Sequence, residues 1–247
     1  MDIKRKYFDL IEKRISDVFE HNQEKMKTVA KLFGECMENQ GVVQLVGFKH
    51  CEQFVNELHF RAGGIAPYNA FRFKDIVLSG KYDQAKIDSE EVYSDLSVVD
   101  IFFDFYQMDD RDLFCLISFY GDEPILEEIA KRAKAKGKKI VVVVNDKSNR
   151  GNLLDYADEW LDMCADEIDV AQYVEENPVG QLSSTSTNVM AQMLTAEVYN
   201  YFVSKGKEAP VLLSANVKGA DVHNNSLVDP YGRRIVIWLT QESLKMK

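Results

Sequence analysis

Apolar residues along this chain change period several times, and each change marks an element. Between positions 3 and 37 they recur every three or four residues (Tyr7, Leu10, Ile11, Ile15, Val18, Phe19, Met26, Val29, Leu32, Phe33), which is a helical period. A polar stretch at 20–25 divides the pattern, so the segment reads as two helices or one long kinked helix, serving as a packing and dimerisation arm. Short apolar runs at 42–46, 113–118 and 139–145 read as buried strands. The last contains Ile140 and four consecutive valines, as expected where both faces of a parallel sheet are covered. A helical pattern at 52–61 follows the first strand, and Ile125, Leu126, Ile129, Ala130 and Ala133 give the helix after the second its apolar face. Weaker strands are expected at 160–163 and 170–174, a long helix at 187–202, and a helix within the acidic, aromatic segment 95–112. Alternating strand and helix patterns with no internal linker predict an α/β fold, one doubly wound parallel-sheet domain. Residues 1–40 form its N-terminal helical arm, and 41–247 the domain proper with a C-terminal extension.

Composition narrows the function classes. The 247 residues are 46% hydrophobic and 28% charged, with a formal net charge of -10. A surface of that sign repels phosphate backbones, so no nucleic-acid partner is expected. The densest basic run, Lys131 to Lys139, reads as the solvated end of a helix closed by Gly137, where cations meet the negative helix terminus. Cys36, Cys51, Cys115 and Cys164 are scattered, with no Cys-x-x-Cys pair and no histidine at ligand spacing, so neither a metal site nor a disulfide framework is expected. No apolar run reaches the length of a membrane span, and the charged N-terminus does not resemble a secretory signal. The expectation is a cytoplasmic protein without membrane contact.

In a doubly wound sheet, ligands bind beyond the carboxyl ends of the strands. Three segments fall at such places: Gly47-Phe48-Lys49-His50-Cys51, Ser118-Phe119-Tyr120-Gly121-Asp122, and the hydroxyl cluster Ser183-Ser184-Thr185-Ser186-Thr187 directly before a helix. Hydroxyls and free N–H groups at a helix N-terminus make an anion cradle, although the same residues also serve as plain N-caps.

The run Gly47-x-x-His50, then Glu57-Leu58-x-x-Arg61-Ala62-Gly63-Gly64, resembles the first loop and helix of SIS (sugar isomerase) domain proteins. Ile117-Ser118-x-x-Gly121 resembles that family's second loop, and Thr185-Ser186-Thr187 its third. The stretch Ser214-Ala215-Asn216-Val217, followed by Gly219, Asp221, His223 and Asn224, is similar to a C-terminal signature of one SIS subfamily. The resemblance reaches to about Ile235 and implies a pocket for a phosphorylated sugar. No cofactor is expected, and a homodimer is expected because the long N-terminal helices offer an apolar face with nothing obvious in one domain to cover all of it. Departures are specific. Phe48, Lys49 and Cys51 stand where the family's first loop has Thr, its second Gly and Ser; Phe119 and Tyr120 replace Asn and Ser in the second. Compact donors are lost and bulk is added, while Lys49 restores a positive charge and Tyr120 keeps a phenol donor.

The resemblance therefore implies ligand contacts from Gly47, Lys49, His50, Cys51, Ser118, Tyr120, Gly121, Ser184, Thr185, Ser186 and Thr187. Glu57 is the candidate base of an aldose–ketose isomerase, or else a surface glutamate paired with Arg61 one turn on. His223 is its acid–base partner, supplied to the cleft of a neighbouring subunit, or else a turn histidine bonded to backbone. Cys51 is a thiol activated at a helix start or a small filler. The expected function is a ligand-holding SIS protein; the alternatives are a phosphosugar isomerase or lyase, and a non-binding structural homologue.

Overall fold

The computed structural model describes residues 2–166, 169–174 and 177–237. The first element is a single helix, α1 (Ile3–Glu38), capped by Asp2, whose carboxylate accepts from Lys4 N at 3.0 Å. The expected break at 20–25 is absent because Asn22 is buried and bonded. Its amide donates to the carbonyls of Val18 and Asp162, and its oxygen accepts from Asp162 N, each at 2.9 Å. What looked like a polar interruption is a clamp between the helix and the sheet. Phe8 and Phe19 remain exposed on α1.

The chain then runs through β1 (Val43–Gly47), a 3-10 turn at Lys49–Cys51, α2 (Glu52–Leu58), β2 (Tyr68–Ala70), α3 (Phe73–Leu78), α4 (Gln84–Asp88), a 3-10 turn at Glu91–Tyr93 and α5 (Ser97–Phe105). It continues with β3 (Leu113–Ile117), α6 (Pro124–Ala135), β4 (Ile140–Val144), β5 (Glu159–Asp162), β6 (Val170–Val174), β7 (Asn177–Gln181), α7 (Ser183–Ser204) and α8 (Ala220–Val228). Five strands form one parallel sheet in the order β2-β1-β3-β4-β5. This is the flavodoxin-like order, which reverses direction between β1 and β3.

Strand residues alternate between two cores. Val43, Leu45, Cys115, Ile117, Val141 and Val143 face the side covered by α1, α2 and α7. Val46, Phe114, Leu116, Ile140, Val142 and Val144 face the side covered by α5 and α6. Covering both faces leaves every residue of β1, β3 and β4 buried, which explains why β3 and β4 read as unbroken apolar runs and β1 as one interrupted only by Gln44.

The structure corrects two more expectations. The 170–174 strand does not join the parallel sheet; it pairs antiparallel with β7 in a separate two-stranded sheet. The hydroxyl cluster does not precede α7 but forms its first turn. β2 and α8 had no clear pattern, the former because it is only three residues long. The part of the C-terminal extension beyond residue 237 lies outside the described residues.

Candidate functional site

The reversal between β1 and β3 opens a crevice at their carboxyl ends, where Gly47 pairs in register with Ile117. The loop after β1 turns sharply at Lys49, whose φ is 54°. A side chain in that left-handed region costs roughly 1–2 kcal/mol, and Lys49 occupies the place of the second glycine in SIS first loops. The backbone thus keeps a glycine conformation while presenting a lysine. Its ammonium lies 4.2 Å from the centre of the Tyr93 ring and 3.6 Å from the Glu90 carboxylate, pointing to the β2 side of β1. His50 meets Phe119 edge-on, with ring centroids 5.5 Å apart. Cys51 is buried in the core, and burial pushes its thiol up to about 12, so it is the small filler and not an activated thiol.

After β3, Ser118 bonds inward. Its hydroxyl accepts from Gly121 N at 2.6 Å and donates to the Glu123 carboxylate. Gly121 has a φ of 67°, which favours glycine, and a Cβ there would press on the Asn149 side chain where the loops after β3 and β4 meet. Tyr120 is braced by the same neighbour: Arg150 N donates to its carbonyl at 2.8 Å, and the Arg150 guanidinium lies 4.0 Å from its ring centre. Burial holds the Glu123 carboxyl above its usual range, against the opposing hydrogen bond from Ser118. A carboxyl with a raised folded-state pKa stabilises the fold most when protonated, and that contribution falls as pH rises through the folded value. Glu123→Gln is therefore expected to melt above the wild type at pH 8, with the gap closing as pH falls to 4. A gap that does not change with pH would exclude a buried charge as the cause.

The first turn of α7 also holds a carboxylate of the protein itself. Ser183 N donates to Asp169 Oδ2 at 3.1 Å, and Asp169 Oδ1 is paired at 3.0 Å with Arg14, a buried arginine of α1. Ser186 and Thr187 turn their hydroxyls back to the Ser183 carbonyl, while Thr185 Oγ1 lies 2.7 Å from the Tyr7 hydroxyl. Ser184 is half-buried beside them.

The two candidate acid–base residues lie elsewhere. Glu57, near the end of α2, accepts from Gln192 Nε2 at 2.8 Å and is paired with Arg61. His223, on α8, has Nε2 2.9 Å from the Val211 carbonyl. Residues 210–212 bond to 63–66, immediately before β2, which places His223 toward the amino edge of the sheet and away from the β1 and β3 loops. Within one chain, Glu57 has the Arg61 partner and His223 the backbone partner that a structural role requires.

A cleft of about 490 Å³ opens beside the first loop, between the carboxyl ends of β1 and β2. Lys49, Arg72 and Lys74 line it with Phe48, Phe73 and Tyr93. Arg72 and Lys74 were missed from sequence because β2 was missed; recognising that strand would have marked the residues after it as another carboxyl-edge loop.

Residues 6–145 match the SIS domain family. A UPF0309 protein of Geobacillus thermodenitrificans is 27% identical over 245 residues, covering 94% of this chain and 96% of its own. Among solved structures, a phosphoheptose isomerase from Francisella tularensis aligns with a TM-score of 0.51 at 16% identity, over 81% of this chain and 97% of its own. A phosphoheptose isomerase from Neisseria gonorrhoeae aligns with a TM-score of 0.51 at 12% identity, over 78% and 95%. These structural likenesses show a shared fold. With the family match spanning more than half its length, and the 2-1-3-4-5 parallel sheet in place, the chain belongs to the SIS domain family.

Proposed function

We propose that this chain binds a phosphorylated sugar, or a small anion derived from one, at the carboxyl edge of its parallel sheet and does not interconvert it. The observation that supports this most directly is the cation-lined cleft beside the first loop, in a chain whose net charge is -10. Three cations in one concavity run against the overall charge, and the cleft volume suits a small metabolite. The reading without turnover is supported by the partners of the two candidate acid–base groups. A base for proton abstraction must reach the carbon-bound proton, and Glu57 is engaged by Arg61 and Gln192.

The experiment is a thermal-shift panel of pentose, hexose, heptose and amino-sugar phosphates at millimolar concentration. A ligand that binds only the folded state raises the melting temperature, so at least one compound is expected to do so, and no response to any of them would overturn the binding reading. The stabilising compound is then incubated with the protein in D2O and followed by NMR. No deuterium is expected at the carbon next to the carbonyl. Enzyme-dependent exchange abolished by Glu57→Gln would make the protein an isomerase with Glu57 as its base.

A further inference from the structure

We infer that the anionic group of the ligand binds in the cleft between β1 and β2, among Lys49, Arg72 and Lys74, and not in the crevice between β1 and β3 where the sheet reverses. This rests on the reading that the ligand is a sugar phosphate and assigns its phosphate a place.

The first line of argument is that two of the three anion cradles already contain carboxylates of the protein. Glu123 takes the Ser118 hydroxyl in the loop after β3, and Asp169 takes Ser183 N at the start of α7. A phosphate entering either place would meet a carboxylate, and like charges at short range oppose binding. Phe119 is buried between the two loops and Tyr120 is pinned by Arg150, so neither position offers the compact donor that a serine there would.

The second line is the chemistry of the cleft. Lys49 turns its side chain away from the β1/β3 crevice toward Tyr93. Arg72 follows β2, with one guanidinium nitrogen 2.8 Å from Asn56 Oδ1 and 3.2 Å from His59 Nδ1, both neutral partners. His59 stays uncharged because burial lowers its pKa to about 3. The Arg72 charge is therefore balanced by neither. Lys74 is exposed and makes no ion pair or hydrogen bond among the described residues. Against these cations the cleft lining contains one carboxylate, Glu52. The Lys49–Glu90 pair is solvent-exposed at both ends, the kind of surface ion pair that contributes little and that a phosphate can replace. Phe73 and Tyr93, in edge contact with centroids 5.6 Å apart, form an apolar wall for the carbon skeleton of the sugar.

The test measures affinity by calorimetry for the best sugar phosphate of the panel, with wild type, Lys49→Gln, Lys74→Gln and Ser118→Ala. Both lysines are exposed, so their variants are expected to melt at the wild-type temperature without ligand. Loss of one charge-assisted hydrogen bond to phosphate corresponds to about a tenfold weaker Kd for each lysine variant. Ser118→Ala is expected to bind within about twofold of wild type, since that hydroxyl would not touch the ligand. Full affinity in both lysine variants with binding lost in Ser118→Ala would overturn the assignment and return the phosphate to the β1/β3 crevice, leaving the proposed function intact. Should no sugar phosphate bind, inorganic phosphate is the probe: stabilisation lost in Lys74→Gln would keep the anion site while removing the sugar reading, and no stabilisation would overturn both.

Discussion

Asp112→Ala is expected to destabilise the fold by about 3–5 kcal/mol, the range for removing one partner of a buried ion pair. Asp112 precedes β3, and its side chain is fully buried. One carboxylate oxygen accepts from Val42 N at 2.9 Å and from the Arg234 guanidinium. The other accepts from Gln44 Nε2 and Asp109 N, both at 3.0 Å. The chain of bonds continues from Gln44 Oε1 to Asn69 Nδ2 at 2.8 Å, and from Asn69 Oδ1 to Val236 N at 3.0 Å. Gln44 and Asn69 sit mid-strand in β1 and β2 with no solvent exposure, so each depends on the next for its hydrogen bond. Alanine at 112 would strand two backbone N–H groups, an amide and a guanidinium at once. It would also release the segment around Arg234 that closes the amino edge of the sheet. The readouts are the urea midpoint and hydrogen exchange over 229–237, both expected to change together. Arg234→Met should cost less, because Asp112 keeps its three neutral donors. Equal losses in the two variants would show that the ion pair, and not the wider network, dominates.

Phe102→Ala is expected to cost about 3–5 kcal/mol as well, through a cavity in the core on the α5 side. Phe102 is fully buried on α5, with ring centroids 5.2 Å from Phe71, 5.6 Å from Phe73, 6.0 Å from Tyr106 and 6.4 Å from Phe48. Phe48 and Phe73 also stack on each other at 4.5 Å, and both line the cleft. Truncation behind them removes the support for that wall, so weaker ligand binding should accompany the lower urea midpoint. Phe102→Leu fills much of the space and should recover most of both losses. A variant that loses stability but binds as wild type would show that the wall stands without its backing ring.

How legible all of this was in the sequence depended on element length and on what each polar residue bonds to. The runs at 42–46, 113–118 and 139–145 identified three central strands because both faces of each are covered, and burial on both sides leaves an unmistakable apolar signature. The helix packed after β3 was legible from its one-sided period, with the five named apolar residues all buried. β2 was not legible: three residues are too few for a period, and one of them, Asn69, is polar. Its loss hid Arg72 and Lys74 and therefore the cleft. Asn22 misled in the opposite direction, since a buried asparagine bonded to Asp162 has the same letter as a solvated one that breaks a helix.

The candidate site divides in the same way. Sequence alone placed Gly47–Cys51 and Ser118–Asp122 in loops at the ends of parallel strands, and the alternation of elements was sufficient for that. It also pointed to the family: the first and second loops that carry the SIS resemblance lie within the matched residues 6–145, while the third loop and the C-terminal stretch lie beyond them. Only the tertiary structure decided what each loop residue bonds to. Glu123 follows Ser118 closely in sequence, but the carboxylate at the start of α7 is Asp169, held by Arg14 from a helix 155 residues away. Hydrogen-bond partners and local charge are set by distance in space, while periodicity reports only which side of an element is buried. That is why the fold could be read from the order of residues, and the hydrogen-bond partners of the loop residues could not.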